Sequence, residues 1–303
     1  MPTTRRTDGV LLAVAVVWGS SYLTAKTATD ALPVLTVLLL RHAVAALACL
    51  PVLCGPGSPS RAERLCGGLL GLTQSAVLVL ETYGVAHTSA GNAGLIISLT
   101  LVLTPVLDRA RLPRRFFLAA AVCVAGVGLL VCGSGLHAPG AGDLLMLAAA
   151  VARAGHVVLV GRVTAGRTLR PLPLTAVQSV AGAVLFLGPA ASGLPALTRI
   201  GAVTWAQLLY LALGCGLFAF LAQTWAIQRT SATRAGLLLG TEPVWALLVG
   251  IGFGGERLTV LSALGAALIM AGTYWGRSIE SAPRAASAHA RPMTVTGDLS
   301  RAR

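Results

Sequence analysis

The segment 81-ETYGVAHTSAGNAGLIISLTLVLT-104 recurs 142 residues later as 223-QTWAIQRTSATRAGLLLGTEPVWA-246. Thr82, Thr88, Ser89, Ala90, Ala93, Gly94, Leu95 and Val102 return as Thr224, Thr230, Ser231, Ala232, Ala235, Gly236, Leu237 and Val244, eight identities in 24 positions. Glu81-Thr82-Tyr83 facing Gln223-Thr224-Trp225 adds chemical similarity at the neighbouring positions. A chain that is 55% hydrophobic inflates chance agreement, so the repeat takes its weight from what surrounds it.

What surrounds it is apolar. Runs long enough to cross a bilayer fall at 9–28, 33–53, 66–86, 89–107, 115–134, 143–161, 172–192, 203–225, 231–252 and 258–276. Turn residues punctuate them, among them Asp30 to Pro33, Gly55 to Pro59, Pro139-Gly140, Pro171 with Pro173, and Gly254-Gly255. The gaps are short enough to force antiparallel neighbours. Five spans per repeat is an odd number, so the second copy enters the membrane upside down relative to the first. The expected fold is an all-α membrane protein of ten transmembrane helices in two inverted five-helix repeats, 1–136 and 137–278, followed by a disordered cytoplasmic tail, 279–303.

Composition agrees. Only 11% of the 303 residues are charged and mean hydropathy is +0.80; soluble domains are nearer about a quarter charged. The net charge of +13 raises the question of nucleic acid, but the basic residues sit in short gaps without the interleaved aromatics that single strands stack on, and no nucleic-acid partner is expected. All but Lys26 are arginine. With the N-terminus inside, 17 arginines fall on the cytoplasmic side and only Arg199 and Arg257 outside, while Lys26, Arg41, Arg153 and Arg234 lie within or at the edge of helices. That bias places both termini in the cytoplasm of a multi-pass cell-membrane protein. The first apolar run, after Arg5-Arg6, reads as an uncleaved span rather than a signal peptide. The six cysteines contain no C-x-x-C pair, so neither a disulfide framework nor a metal site is expected.

The residues resemble the EamA-like families of the drug/metabolite transporter superfamily. Trp18-Gly19-Ser20-Ser21-Tyr22 is similar to the group's first-helix pattern, and Arg41 to its second-helix arginine. Thr88-Ser89-Ala90 and Thr230-Ser231-Ala232 resemble its paired fourth and ninth helices. Glu242-Pro243-Val244, Gly255-Glu256-Arg257-Leu258 and the Gly265 to Gly272 run resemble its closing motif. There are departures: the first half lacks the G-E-x-L element, Arg153 and His156 stand where the family often has aromatics, and His42 follows Arg41 where it often has Phe. The resemblance implies a small-molecule transporter, with export as the expected direction.

Ionisable side chains at mid-bilayer cost at least about 2.5–3.5 kcal/mol on insertion scales, so each needs a partner, a wet cavity or a task. Arg41, Glu81, Arg153 and Glu242 stand out. Arg153 and His156 share a helical face, and aligning the first and sixth spans at an offset of 135 sets Trp18 opposite Arg153 and Ser21 opposite His156. Arg153 either binds an anionic group beside Trp18 or pairs internally with Glu81 or Glu242. Glu242, expected near the middle of the ninth span before Pro243, is a candidate for proton coupling or structure, and Glu81, near the outer end of the third, for gating. The substrate-cavity candidates are Trp18, Ser21, Tyr22, Arg41, His42, Arg153, His156, Gln178 and Gln223. Glu256 is expected to cap a turn or pair with Arg257.

No phosphate-cradling G-x-x-x-x-G-K-[ST] is present, so energy for transport would come from an ion or solute gradient. An intramembrane enzyme lacks a motif to support it, there being no H-E-x-x-H and no G-x-S-x-G. A membrane scaffold would not need charges facing each other across a repeat axis. The expectation is a secondary carrier of a small organic metabolite, amino-acid-like compound or drug, working by alternating access, with a small-molecule substrate and the lipid bilayer as partners and no cofactor. Homodimer formation stays open.

Overall fold

Helices in lipid gain little from hiding apolar side chains, so small and polar residues turn inward and large apolar ones outward. The computed structural model of the chain is built this way. On the helix Arg61–His87, Leu65, Leu69 and Leu72 form one exposed line, whereas Gln74, Ser75 and Thr82 are buried.

The structure describes residues 2–88, 90–109, 112–134, 140–253 and 258–289. Among these, every regular element is helical: α1 (Pro2–Ala31), α2 (Val34–Ala48), α3 (Leu50–Cys54), α4 (Arg61–His87), α5 (Ala90–Ser98), α6 (Thr100–Leu107), α7 (Arg114–Ser134), α8 (Ala141–Thr164), α9 (Pro171–Leu187), α10 (Ala202–Leu209), α11 (Ala219–Ile227), α12 (Ala232–Leu239), α13 (Glu242–Phe253) and α14 (Val260–His289). A 3₁₀ segment, Ala191–Thr198, follows α9, and a π-helical stretch, Tyr210–Phe218, joins α10 to α11.

Five described stretches are long and apolar enough to cross a membrane: Arg5–Ala31, Arg61–His87, Ala141–Thr164, Ala202–Ile227 and Ala232–Phe253. Pro171–Leu187 and Ala191–Thr198, apolar together but bent by 97° at the break between them, are either a broken span or a re-entrant turn. Val34–Ala48, Ile96–Leu107 and Ala263–Gly276 are apolar but shorter. Several of the expected spans are interrupted. The run 33–53 breaks at Cys49, just ahead of Pro51, which has no N–H to continue the ladder, and 89–107 breaks at Leu99. The terminal helix runs on to His289 through part of the segment expected as a tail; 290–303 lie outside the described residues, as do Gly255, Glu256 and Arg257.

The span expected at 231–252 is also broken, at Gly240 and Thr241, so Glu242 opens α13 rather than sitting mid-helix. There Pro243 costs no hydrogen bond, because first-turn N–H groups have no intrahelical acceptor, and the helix dipole favours the Glu242 carboxylate. The breaks at Leu99 and Thr241 fall at the 142-residue offset of the repeat.

Close approaches at glycine tie helices together. A Cβ on Gly126 of α7 would lie 2.7 Å from the Gly265 carbonyl of α14, and one on Gly272 of α14 would lie 2.8 Å from the Ala119 carbonyl of α7. Early residues of one helix meet late residues of the other, so α7 and α14 run antiparallel through an interface whose two sides use equivalent positions. The pair α2 and α9 is antiparallel too: the Thr36 hydroxyl donates to the Ala190 carbonyl (3.5 Å), and the His42 ring packs 5.4 Å from Phe186. At the start of α4, Ser60 and Glu63 form a reciprocal cap, and Glu63 Oε1 also accepts from the Arg170 backbone and Nε, both 2.9 Å. Those bonds hold the exposed Arg170 guanidinium above its ordinary pKa.

Candidate functional site: a charged cavity between helices

Trp18, Ser21 and Tyr22 occupy one face of α1 through their i, i+3 and i+4 spacing. With Arg41 of α2, Glu81 of α4, Arg153 and His156 of α8, and Phe220 and Gln223 of α11, they line a cavity of about 30 Å³. That is room for one or two waters.

Arg153 is the hub. Its Nη1 donates to Glu81 Oε1 (3.2 Å) and Glu242 Oε2 (3.1 Å), and its Nη2 donates to Glu242 Oε1 (2.8 Å). Both carboxylates named as alternative partners are therefore engaged at once, with Glu242 holding the two-pronged contact that suits a planar guanidinium. The Tyr22 hydroxyl donates to Glu242 Oε2 (2.9 Å). The Arg153 guanidinium also lies over the Trp18 ring, 4.3 Å from its centroid. Trp18 is fixed in turn: its Nε1–H donates to the Cys215 carbonyl (3.0 Å), which belongs to the π-helical stretch, where the hydrogen-bond ladder departs from the α pattern. The α1 to α8 juxtaposition inferred from the repeat thus exists as a stacked contact.

His156 pairs through Nδ1 with Thr73 Oγ1 (2.8 Å). Because the Thr73 hydroxyl donates to the Leu70 carbonyl (3.0 Å), Nδ1 carries the proton and Nε2 is left as an acceptor without a partner. Gln223 lines the same cavity with neither amide atom bonded.

Two expected residues are elsewhere. His42 faces a second cavity, about 10 Å³, bounded by Arg41, Ala45, Gln74, Leu78, Ser179 and Gly216; Arg41 and Leu78 border both cavities. Gln178 lines neither. It is buried where Gly71 of α4 brings the helix against the α9 backbone, and its amide atoms are unpartnered. Glu81, the gating candidate expected near the outer end of its span, turns inward to Arg153, its side chain 16% exposed.

Thr73, Gln74, Ser75 and Phe220 were not singled out in the sequence, nor was the buried ion pair of Asp8 with Arg234. For Gln74, its place on the face of α4 opposite the leucine line was the available signal; Thr73 follows Leu69 by one turn and gave none. Two larger open crevices, about 750 and 790 Å³, are bordered by Arg6, Phe218, Trp225 and Arg229, and by Asp108, Arg162, Arg167 and Gln228. None of the expected site residues borders them.

Comparison with known proteins places this architecture. An uncharacterized transporter from Archaeoglobus fulgidus is 28% identical over 262 residues, covering 86% of this chain and 82% of that protein. A solved crystal structure shares the fold with a TM-score of 0.69 at 18% identity, over 91% of this chain and 98% of the other. The EamA-like transporter family matches twice, at residues 6–133 and 140–275. The chain is a multi-pass membrane protein that belongs to the EamA-like transporter family of the drug/metabolite transporter superfamily.

Proposed function

We propose that the protein is a secondary carrier that exports a small organic solute across the cytoplasmic membrane by alternating access, without catalysing a reaction. The observation that carries this reading is the cluster of Arg153, Glu81 and Glu242 against an internal cavity. Charges of that kind in a membrane protein mark solute or ion pathways. A chain of ten spans in two inverted halves fits the two family matches, the antiparallel pairing of α7 with α14, and the breaks in equivalent helices. The arginine bias supports an orientation with both termini in the cytoplasm.

In this mechanism Arg153 is the element with two arrangements. Held by two carboxylates, it ties α4, α8 and α13 together around a cavity too small for an organic solute. A proton taken up by Glu242 removes one of the two charges that hold Arg153, loosens α13 from α8, and lets the cavity widen toward one face. Proton movement and solute movement are then coupled through the same guanidinium.

Counterflow in proteoliposomes tests the reading: vesicles preloaded with an unlabelled candidate solute should accumulate the labelled one only when they contain the protein. With an imposed pH gradient, Glu242→Gln should retain counterflow and lose gradient-driven accumulation. Failure to move any of a broad panel of amino acids, organic acids and amphipathic cations overturns the carrier.

A further inference from the structure

Three arginines are at least nine-tenths buried in the described bundle, and two have carboxylate partners: Arg153 with Glu81 and Glu242, Arg234 with Asp8. Arg41 is the third. It is 6% exposed, it forms no ion pair among the described residues, and its Nε has no hydrogen-bond partner. Glu81, which lines the same cavity, bonds Arg153 instead. Glu81 acts on Arg41 across the cavity without bonding it; a guanidinium held in a membrane interior with no bonded carboxylate is costly, and a binding site is one reason to keep it.

Its surroundings are those of a site. Arg41 stands where the two cavities adjoin. Gln74 Oε1 and His42 Nε2, on residues that border the smaller one, and both amide atoms of Gln223, in the larger one, are buried without partners. The larger cavity also carries Glu81 and Arg153, bonded to each other, with Ser21, Thr82 and His156, and the smaller one carries Ser179; the apolar wall comes from Ala25, Ala45, Val77, Leu78 and Phe220.

Resting on the carrier reading, we propose that Arg41 anchors a carboxylate subsite in the widened cavity, and that the transported solute carries a carboxylate whose two oxygens face the Arg41 fork while its apolar remainder lies toward Leu78 and Phe220. The planar, two-pronged donor geometry of guanidinium matches a carboxylate. The unpartnered Gln223 amide N–H₂, in the same cavity, is a donor for its second hydrogen bond, whereas Gln74 Oε1 only accepts. The anion-binding role considered for Arg153 passes to Arg41, because Arg153 already holds two carboxylates.

The test uses the purified full-length protein, titrated with the straight-chain monocarboxylates from acetate to hexanoate, with benzoate, and with the matching carboxamides. Thermal stabilisation and tryptophan fluorescence are the readouts. At least one carboxylate should bind about tenfold or more tightly than its amide, a preference that Arg41→Gln removes. Gln74→Glu supplies a carboxylate from within: it should raise the melting temperature of the ligand-free protein and abolish stabilisation by added carboxylates. The subsite is overturned if no carboxylate of the series stabilises the protein, if amides bind equally well, or if the preference survives both substitutions. Counterflow of the best-binding carboxylate separates the two readings. Arg41-dependent binding without counterflow overturns the carrier and leaves the subsite standing, whereas counterflow of neutral solutes alone, unchanged by Arg41→Gln, overturns the subsite and leaves the carrier.

Discussion

Asp8 and Arg234, 226 residues apart in sequence, meet in a two-pronged ion pair in which Nε donates to Oδ1 at 2.7 Å and Nη2 to Oδ2 at 2.8 Å. Both are buried, Asp8 on the first turns of α1 and Arg234 near the start of α12. Nearby, the Thr233 hydroxyl donates to Asp108 (3.4 Å) beyond the end of α6, so this end of the bundle is fastened by polar contacts rather than by packing alone. A double-mutant cycle with Asp8→Ala and Arg234→Ala should yield a coupling of about 1–3 kcal/mol in unfolding experiments. If this contact closes one mouth of the carrier, Asp8→Ala should also speed thiol labelling of a cysteine placed at His156. Unchanged labelling with intact folding would show that the pair is structural only.

The Arg153 cluster makes an ordered set of expectations. Arg153→Ala leaves two buried carboxylates facing each other and should cost about 3–5 kcal/mol while abolishing transport. Arg153→Lys keeps the charge without the fork, and should fall between that variant and the native protein in both respects. Thermal unfolding in detergent, paired with counterflow, reads both. Equal effects of Lys and Ala would mean that fork geometry, rather than charge, holds the helices.

Tyr22→Phe removes a single donor to Glu242 and leaves the ring in place. The expected loss is about 1.5–3 kcal/mol, the range for hydrogen bonds to charged groups. Because Arg153 then remains the only described side chain bonded to that carboxylate, the variant should also shift the pH dependence of transport. A transport profile superimposable on the native one would place Tyr22 outside the coupling machinery.

Gly126 and Gly272 offer a test of the helix interface. Alanine at either position drives a methyl group against a facing carbonyl, at 2.7 and 2.8 Å, so each substitution should destabilise by about 1–3 kcal/mol. Gly68→Ala on α4, where a Cβ would meet nothing within 4 Å, is the control and should be neutral or slightly stabilising. Similar melting temperatures for all three would contradict the packing of α7 on α14.

Much of this was written in the order of the residues. A chain in which 11% of residues are charged, with apolar runs between turn residues, has little choice but helices in lipid, because a backbone there must satisfy its own hydrogen bonds. The internal repeat and the motifs from Trp18 to Gly272 carried the family, and the alignment of the first and sixth spans carried the meeting of Trp18 with Arg153. Pairing was another matter. Periodicity tells which face of a helix a charge lies on, but not which helix it faces or whether a carboxylate is already taken. So the double engagement of Arg153, the lack of a bonded carboxylate at Arg41 among the described residues and the contact of Asp8 with Arg234 appear only when the helices are assembled. The break before Glu242 belongs to the same class: Pro243 permits either a kinked helix or a new one, and the close approach of Gly240 to Leu101 accompanies the second.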